Sequence, residues 1–146
     1  MNTRLIALLT LLAMCGLLSA PVAAADYYIV VSEKNATRSL SAQEALHIFM
    51  GRTRSFPDGL PATSYELADA PQRAGFYRTL ADMSLAQVTS YWARLMFSGR
   101  NLPPQQVDDQ AALMDKIRNN PQAIGWLPHP PAQRGLRTVL VLRNEP

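Results

Sequence analysis

Apolar and polar positions fall in distinct blocks along this chain. Leu5 to Leu18 is almost unbroken apolar sequence, LIALLTLLAMCGLL, preceded by Arg4, the only charge in the first 25 residues. Small residues follow and end in Ala23-Ala24-Ala25. A charged start, a short apolar centre and an A-x-A-type site make a secretory signal peptide. Cleavage is expected before Asp26. The apolar run is shorter than the ~20 residues that cross a bilayer, so it predicts a leader rather than an anchor.

Beyond the leader the blocks shorten. Tyr27-Tyr28-Ile29-Val30-Val31 is β-branched and aromatic, bounded by polar Ser32 to Asn35, and predicts a buried strand. Ser41 and Glu44 form an S-x-x-E capping box that starts a helix whose apolar face is Ala45, Leu46, Ile48 and Phe49. Gly51 ends it. Pro57-Asp58-Gly59 marks a turn, and Pro61 to Leu67 predicts a second strand. Pro71 suits the first turn of a second helix, which carries Phe76, Tyr77 and Leu80. Ser84 and Gln87 repeat the capping box for a third helix, where Leu85, Val88, Tyr91, Trp92, Leu95 and Met96 recur at helical spacing. Asn101 to Gln106 reads as a loop and Val107 to Asn119 as a fourth helix, with Asp108 and Asp109 near its positive end. Ala123 to Leu127 and Thr138 to Leu142 predict two final strands, joined by a proline-rich loop too short for a helical crossover and therefore expected to be antiparallel, or at least not a right-handed crossover pair.

The order β-α-β-α-α-α-β-β implies one sheet covered by helices. Loss of residues 1–25 leaves 121 of the 146, enough for one domain over residues 26–146. The single cysteine, Cys15, lies in the leader. Met14 stands where a lipoprotein signal needs a small residue, so lipid attachment is not expected. The processed chain then has no thiolate nucleophile, no disulfide and no cysteine-ligated metal. Without Arg4, 13 basic residues face 11 acidic ones. A net charge of +2, scattered along the chain, does not predict a nucleic-acid partner, and no further membrane span is expected.

Catalytic signals are absent from the pattern. His47 lies within the first helix and His129 between prolines, neither at metal-ligand spacing with His, Cys or a carboxylate. No G-x-S-x-G, H-E-x-x-H or phosphate-loop motif occurs. Asp108-Asp109 is explained by a helix start, and Tyr91-Trp92 by core packing. The expectation is a non-enzyme without a cofactor. One internal echo stands out. Phe49-Met50-Gly51-Arg52 and Phe97-Ser98-Gly99-Arg100 share F-x-G-R. It reads either as two matching arginine loops or as two glycine-ended helices, each with a buried Phe in its last turn.

Three segments together carry a resemblance. They are Ser39-Leu40-Ser41 through Ile48-Phe49-Met50-Gly51-Arg52 to Phe56-Pro57-Asp58-Gly59, Gly75-Phe76-Tyr77-Arg78 with Tyr91-Trp92 through Gly99, and Asn120-Pro121-Gln122-Ala123-Ile124-Gly125-Trp126. In this order they resemble the phosphate-type substrate-binding proteins of ABC transporters, in particular short single-lobe members. The resemblance covers nearly all of residues 27–127. It implies an α/β fold: one type-2 periplasmic-binding-protein-like lobe with a mixed, mostly parallel sheet of about four strands flanked by helices. It implies a periplasmic, solute-binding-like protein, with a small oxyanion such as phosphate and a membrane transporter or sensor as partners.

The family's R-x-D-x-S-G-T stretch, whose arginine, hydroxyls and N–H groups bind phosphate, corresponds here to Glu66-Leu67-Ala68-Asp69-Ala70-Pro71-Gln72. Glu66 and Asp69 would repel an anion, Ala70 has no hydroxyl and Pro71 has no N–H. The remaining anion candidates are Ser32, Asn35, Thr37 and Ser39 after the first strand, where α/β sheets place ligands, and Arg73. Two functions stay open: a weak oxyanion binder, or a ligand-less interaction module docking on a transporter, sensor or receptor. A single lobe also leaves a face on which a homodimer could form.

Overall fold

The computed structural model describes residues 25–144, so residues 1–24 of the expected leader lie outside the described residues. Five strands and four helices follow in the order β1 (Tyr27–Ser32), α1 (Ala42–Phe49), β2 (Thr63–Leu67), α2 (Ala70–Ala81), α3 (Leu85–Phe97), β3 (Gln105–Val107), α4 (Gln110–Asn119), β4 (Ala123–Leu127) and β5 (Leu136–Leu142). They build one sheet in the order β3-β2-β4-β1-β5. β2 is parallel to β3 and β4, while β1 is antiparallel to both β4 and β5. Four strands therefore run one way and β1 alone runs back between β4 and β5.

The elements start where local chemistry dictates. Ser41 and Glu44 form the capping box of α1, and Ser84 and Gln87 that of α3. Asp69 caps α2 by accepting from Gln72 N–H, with Pro71 in the first turn. Asp109 caps α4 by accepting from Ala112 N–H.

Three expectations are corrected. Gln105–Val107 is a short strand paired with β2, where a loop and a helix start were expected. Gln105 and Gln106 are exposed at the sheet edge, so the stretch has no apolar period to betray it. The fourth helix accordingly begins at Gln110. Finally, β4 and β5 are not antiparallel neighbours: β1 separates them, and both point the same way.

Helices cover both faces. Gly125 of β4 lies under Leu113 and Ile117 of α4, where a Cβ would meet the Ile117 Cδ1 at 2.7 Å. On the other face Trp126 and Tyr27 meet Phe76 of α2, and Phe76 in turn meets Phe49 of α1. α3 packs outside α2. The core is one continuous cluster from Tyr27 to Leu142.

Candidate functional site

The direction of β1 decides where the predicted site residues stand. In an α/β sheet, ligands bind outside the carboxyl ends of the parallel strands. β2, β3 and β4 share one such edge. Because β1 runs against them, its carboxyl end and the loop after it lie at the opposite edge, beside the start of β4.

There Ser32, Asn35 and Thr37 are buried; the Ser32 and Asn35 side chains are engaged with the protein itself, whereas the Thr37 hydroxyl has no partner among the described residues. The Ser32 hydroxyl donates to Arg118 O and accepts from Lys34 N–H. Asn35 donates to Pro121 O at 2.6 Å and accepts from Thr37 N–H at 2.7 Å. Arg137 of β5 donates to the carbonyls of Glu33, Asn35 and Thr37, fixing the loop from outside. Ser39 is exposed. Arg73 stands at the other edge of the sheet, on α2. The structure groups Ser32, Asn35 and Thr37, and it does not bring Arg73 to them.

At the carboxyl edge of β2 the sequence places a carboxylate. Glu66 is fully buried, at 0 % exposure. Arg73 Nε donates to its Oε1 at 2.9 Å, Gln106 Nε2 to the same oxygen at 3.2 Å, and the Tyr77 hydroxyl to Oε2 at 2.6 Å. A buried charge needs a counter-charge and filled lone pairs, and β2, β3 and α2 together supply them. Burial, and next the neighbouring Glu66 charge, push the Tyr77 hydroxyl well above its usual pKa near 10. Arg73, an anion-binding candidate in the sequence, is thus an ion-pair partner of Glu66.

Just beyond lies a crevice of about 480 Å³ between the starts of α2 and α4. Its polar lining includes Asp69, Asp108, Asp109 and Gln72. Gln72 brings a buried acceptor oxygen, Oε1, with no partner among the described residues. Helix starts ordinarily attract anions. Here Asp69 and Asp109 each take one of these N–H groups, from Gln72 and Ala112, and bring a negative charge to the helix start. Among the described residues no group of three or more His, Cys, Asp or Glu side chains is placed to hold a metal ion.

The Glu66 network escaped sequence reading because Gln106 is 40 positions away and Tyr77 reads as core. The proximity of Glu66 to Arg73 along the chain was the one available signal.

A pH prediction follows from Tyr77. Its folded-state pKa is raised, so its contribution to stability is complete below pH ~10 and is lost as pH climbs above that. Urea unfolding should show stability falling from about pH 10 upward. Tyr77→Phe is expected to make that fall shallower. The fall does not vanish, because burial raises the Tyr27 hydroxyl in the same direction. Equal slopes in both proteins would refute the assignment.

No family model and no curated protein matches the sequence. Solved structures do match in shape. One is described as a putative phosphate ABC transporter substrate-binding protein with bound phosphate from Clostridium perfringens, at TM-score 0.61 and 13% identity. Another is an ABC-type phosphate transport receptor from Vibrio cholerae, at TM-score 0.58 and 14% identity. The fold is that of a single periplasmic-binding-protein lobe. Each match covers 80% of this chain but 45% and 46% of the other, so the chain spans less than half the length of these neighbours. In this lobe the carboxyl edge of the parallel strands carries Glu66 and three aspartates. No helix of the described residues is long and apolar enough to cross a membrane.

Proposed function

We propose that this chain is an exported, non-enzymatic, solute-binding-like lobe that works in the periplasm as a protein-interaction module beside an ABC transporter or sensor. One observation carries the reading. The carboxyl edge of β2, where such a lobe would meet an anion, is filled by the buried Glu66 carboxylate and its three donors. An entering phosphate would meet Glu66 and the aspartates of the crevice. In a partly buried setting such like charges cost several kcal/mol, on the order of 332/(ε·r) with an effective ε near 20.

The second reading is a weak phosphate or oxyanion binder, supported by the descriptions of the neighbours. Calorimetry of the processed chain separates the two. No heat of binding is expected with phosphate, sulfate or molybdate below about millimolar concentration, which corresponds to roughly −4 kcal/mol. A micromolar dissociation constant for phosphate would overturn the interaction reading in favour of solute binding.

A further inference from the structure

The F-x-G-R echo acquires a meaning in three dimensions. The two loops that end α1 and α3 dock on each other. Asn101 Nδ2 donates to Gly51 O at 2.7 Å, the Tyr91 hydroxyl to Met50 O at 2.7 Å, and Arg54 Nη2 to Arg100 O at 2.7 Å. Gly51 sits at φ +65, and a Cβ there would strike Asn101 Nδ2 and the Trp92 ring at 2.5 and 2.7 Å. The loops are therefore held in one arrangement.

Between them and the starts of β2 and β3 runs a groove of about 520 Å³. It opens at the sheet edge away from the acidic crevice. Arg54 and Arg100 line it, no carboxylate does, and among the described residues neither arginine has an acidic partner within 4 Å.

Its lip is apolar and bare. Met96 is 47 % and Leu102 75 % exposed, and both line the groove. Phe97, next to Met96, is 97 % exposed. The echo thus splits. Phe49 is fully buried, as a helix-ending Phe was expected to be, and Phe97 is not. Single exposed apolar residues are ordinary. Two on one groove and a third next to one of them in the chain, with arginines that have no acidic partner in the groove, form the pattern of an interaction surface: large apolar anchors beside a charge that selects the partner.

We infer that this groove docks a segment of a partner protein that carries acidic residues interleaved with large apolar ones. The acidic side chains would reach Arg54 and Arg100, whose planar guanidinium groups suit carboxylates. The apolar ones would cover Met96, Phe97 and Leu102. A small anion could answer the arginines but would leave that lip in water. The inference rests on the interaction reading proposed above and gives it a location.

Fluorescence anisotropy of the processed chain tests it, with a labelled octapeptide that alternates glutamate pairs with leucine and phenylalanine. Matched peptides replace glutamate by lysine, or the apolar residues by alanine. Saturable binding of the acidic apolar peptide alone is expected. F97S/L102S and R54A/R100A should each weaken it roughly tenfold. F97S/L102S should keep the wild-type Tm, since both side chains already face solvent.

Binding of the lysine peptide as tight as that of the acidic one overturns the proposal, as do unchanged affinities in both variants or no saturation by ~1 mM peptide. Concentration-dependent dimerisation in analytical ultracentrifugation, abolished by F97S, would make the occupant a second copy and overturn it. Tighter binding to vesicles containing one-third phosphatidylglycerol than to the peptide would overturn it in favour of a membrane. Micromolar phosphate binding in calorimetry would defeat the interaction reading while leaving the peptide result to stand or fall alone.

Discussion

Glu66→Ala is expected to lower the unfolding free energy by about 3 kcal/mol, the low end of the range for stranding a buried charge. Three donors lose their acceptor at once. The Tyr77 hydroxyl is buried and has no replacement partner, and Gln106 and Arg73 must turn toward solvent. Arg73 retains 17 % side-chain exposure, which gives its guanidinium a route to water and keeps the loss from the upper end of the range. Glu66→Gln keeps two polar atoms at the site and is expected to cost less, about 1 to 2 kcal/mol.

The pairwise content is isolated by a cycle with Arg73→Met. If Glu66 and Arg73 act as a pair, Glu66→Met/Arg73→Met loses at least ~1 kcal/mol less than the sum of the single changes. Chemical denaturation at neutral pH measures all four proteins. Additive losses would mean that Glu66 is held by Tyr77 and Gln106 alone.

Why this network was only half legible follows from how its members sit in the chain. The negative charge of Glu66 and Asp69 was readable from the sequence, and the structure places both at the carboxyl edge of β2. That Glu66 would be buried was not readable, since an isolated glutamate in a half-polar strand ordinarily faces water. Its burial depends on Gln106, brought beside it by β3, and β3 shows no apolar alternation because its glutamines lie exposed at the edge.

The predicted ligand loop illustrates a different gap. Ser32, Asn35 and Thr37 carry the right chemistry for an anion, and the rule that placed them was sound for parallel strands. Applied to β1 it points to the edge opposite that of β2, β3 and β4, because β1 runs backward, and strand direction is set by pairing with β4 and β5, roughly a hundred residues away. Periodicity reports that a strand exists and which face it buries; it carries no information on which way the strand points.

Local signals fared better where they were self-contained. Both capping boxes form, α2 begins around Pro71, and Gly51 and Gly99 end their helices at positive φ. The echo shows the limit of such signals. Identical F-x-G-R ends place Phe49 in the core and Phe97 in solvent, because α1 packs against α2 and Phe76 whereas α3 lies outside that layer.

Phe76→Ala is expected to remove about 3 to 5 kcal/mol, the cost of emptying a buried aromatic site that cannot collapse. Phe76 is the hub of the upper core. Its ring stacks on Trp126 with centroids 4.6 Å apart, and meets the edges of Tyr27, Phe49 and Tyr77 at 5.7, 5.2 and 5.1 Å. Each such aromatic pair adds about 0.5 to 1.5 kcal/mol beyond area burial. The four neighbours come from β4, β1, α1 and α2, so no single movement fills the gap.

A domain of this size is stable by about 5 to 15 kcal/mol, which makes the loss about a fifth of the total or more. Phe76→Leu keeps most of the volume but loses the aromatic pairs, and is expected to cost about 2 kcal/mol, less than the alanine variant. Because Phe76 lies between Arg73 and Tyr77 on α2, the alanine variant also releases the helix that presents both donors to Glu66. Its effect and that of Glu66→Ala should therefore be non-additive, with the double variant less destabilised than the sum. Strict additivity would show that the aromatic hub and the carboxylate are held independently, and that α2 needs only one of them to stay in place.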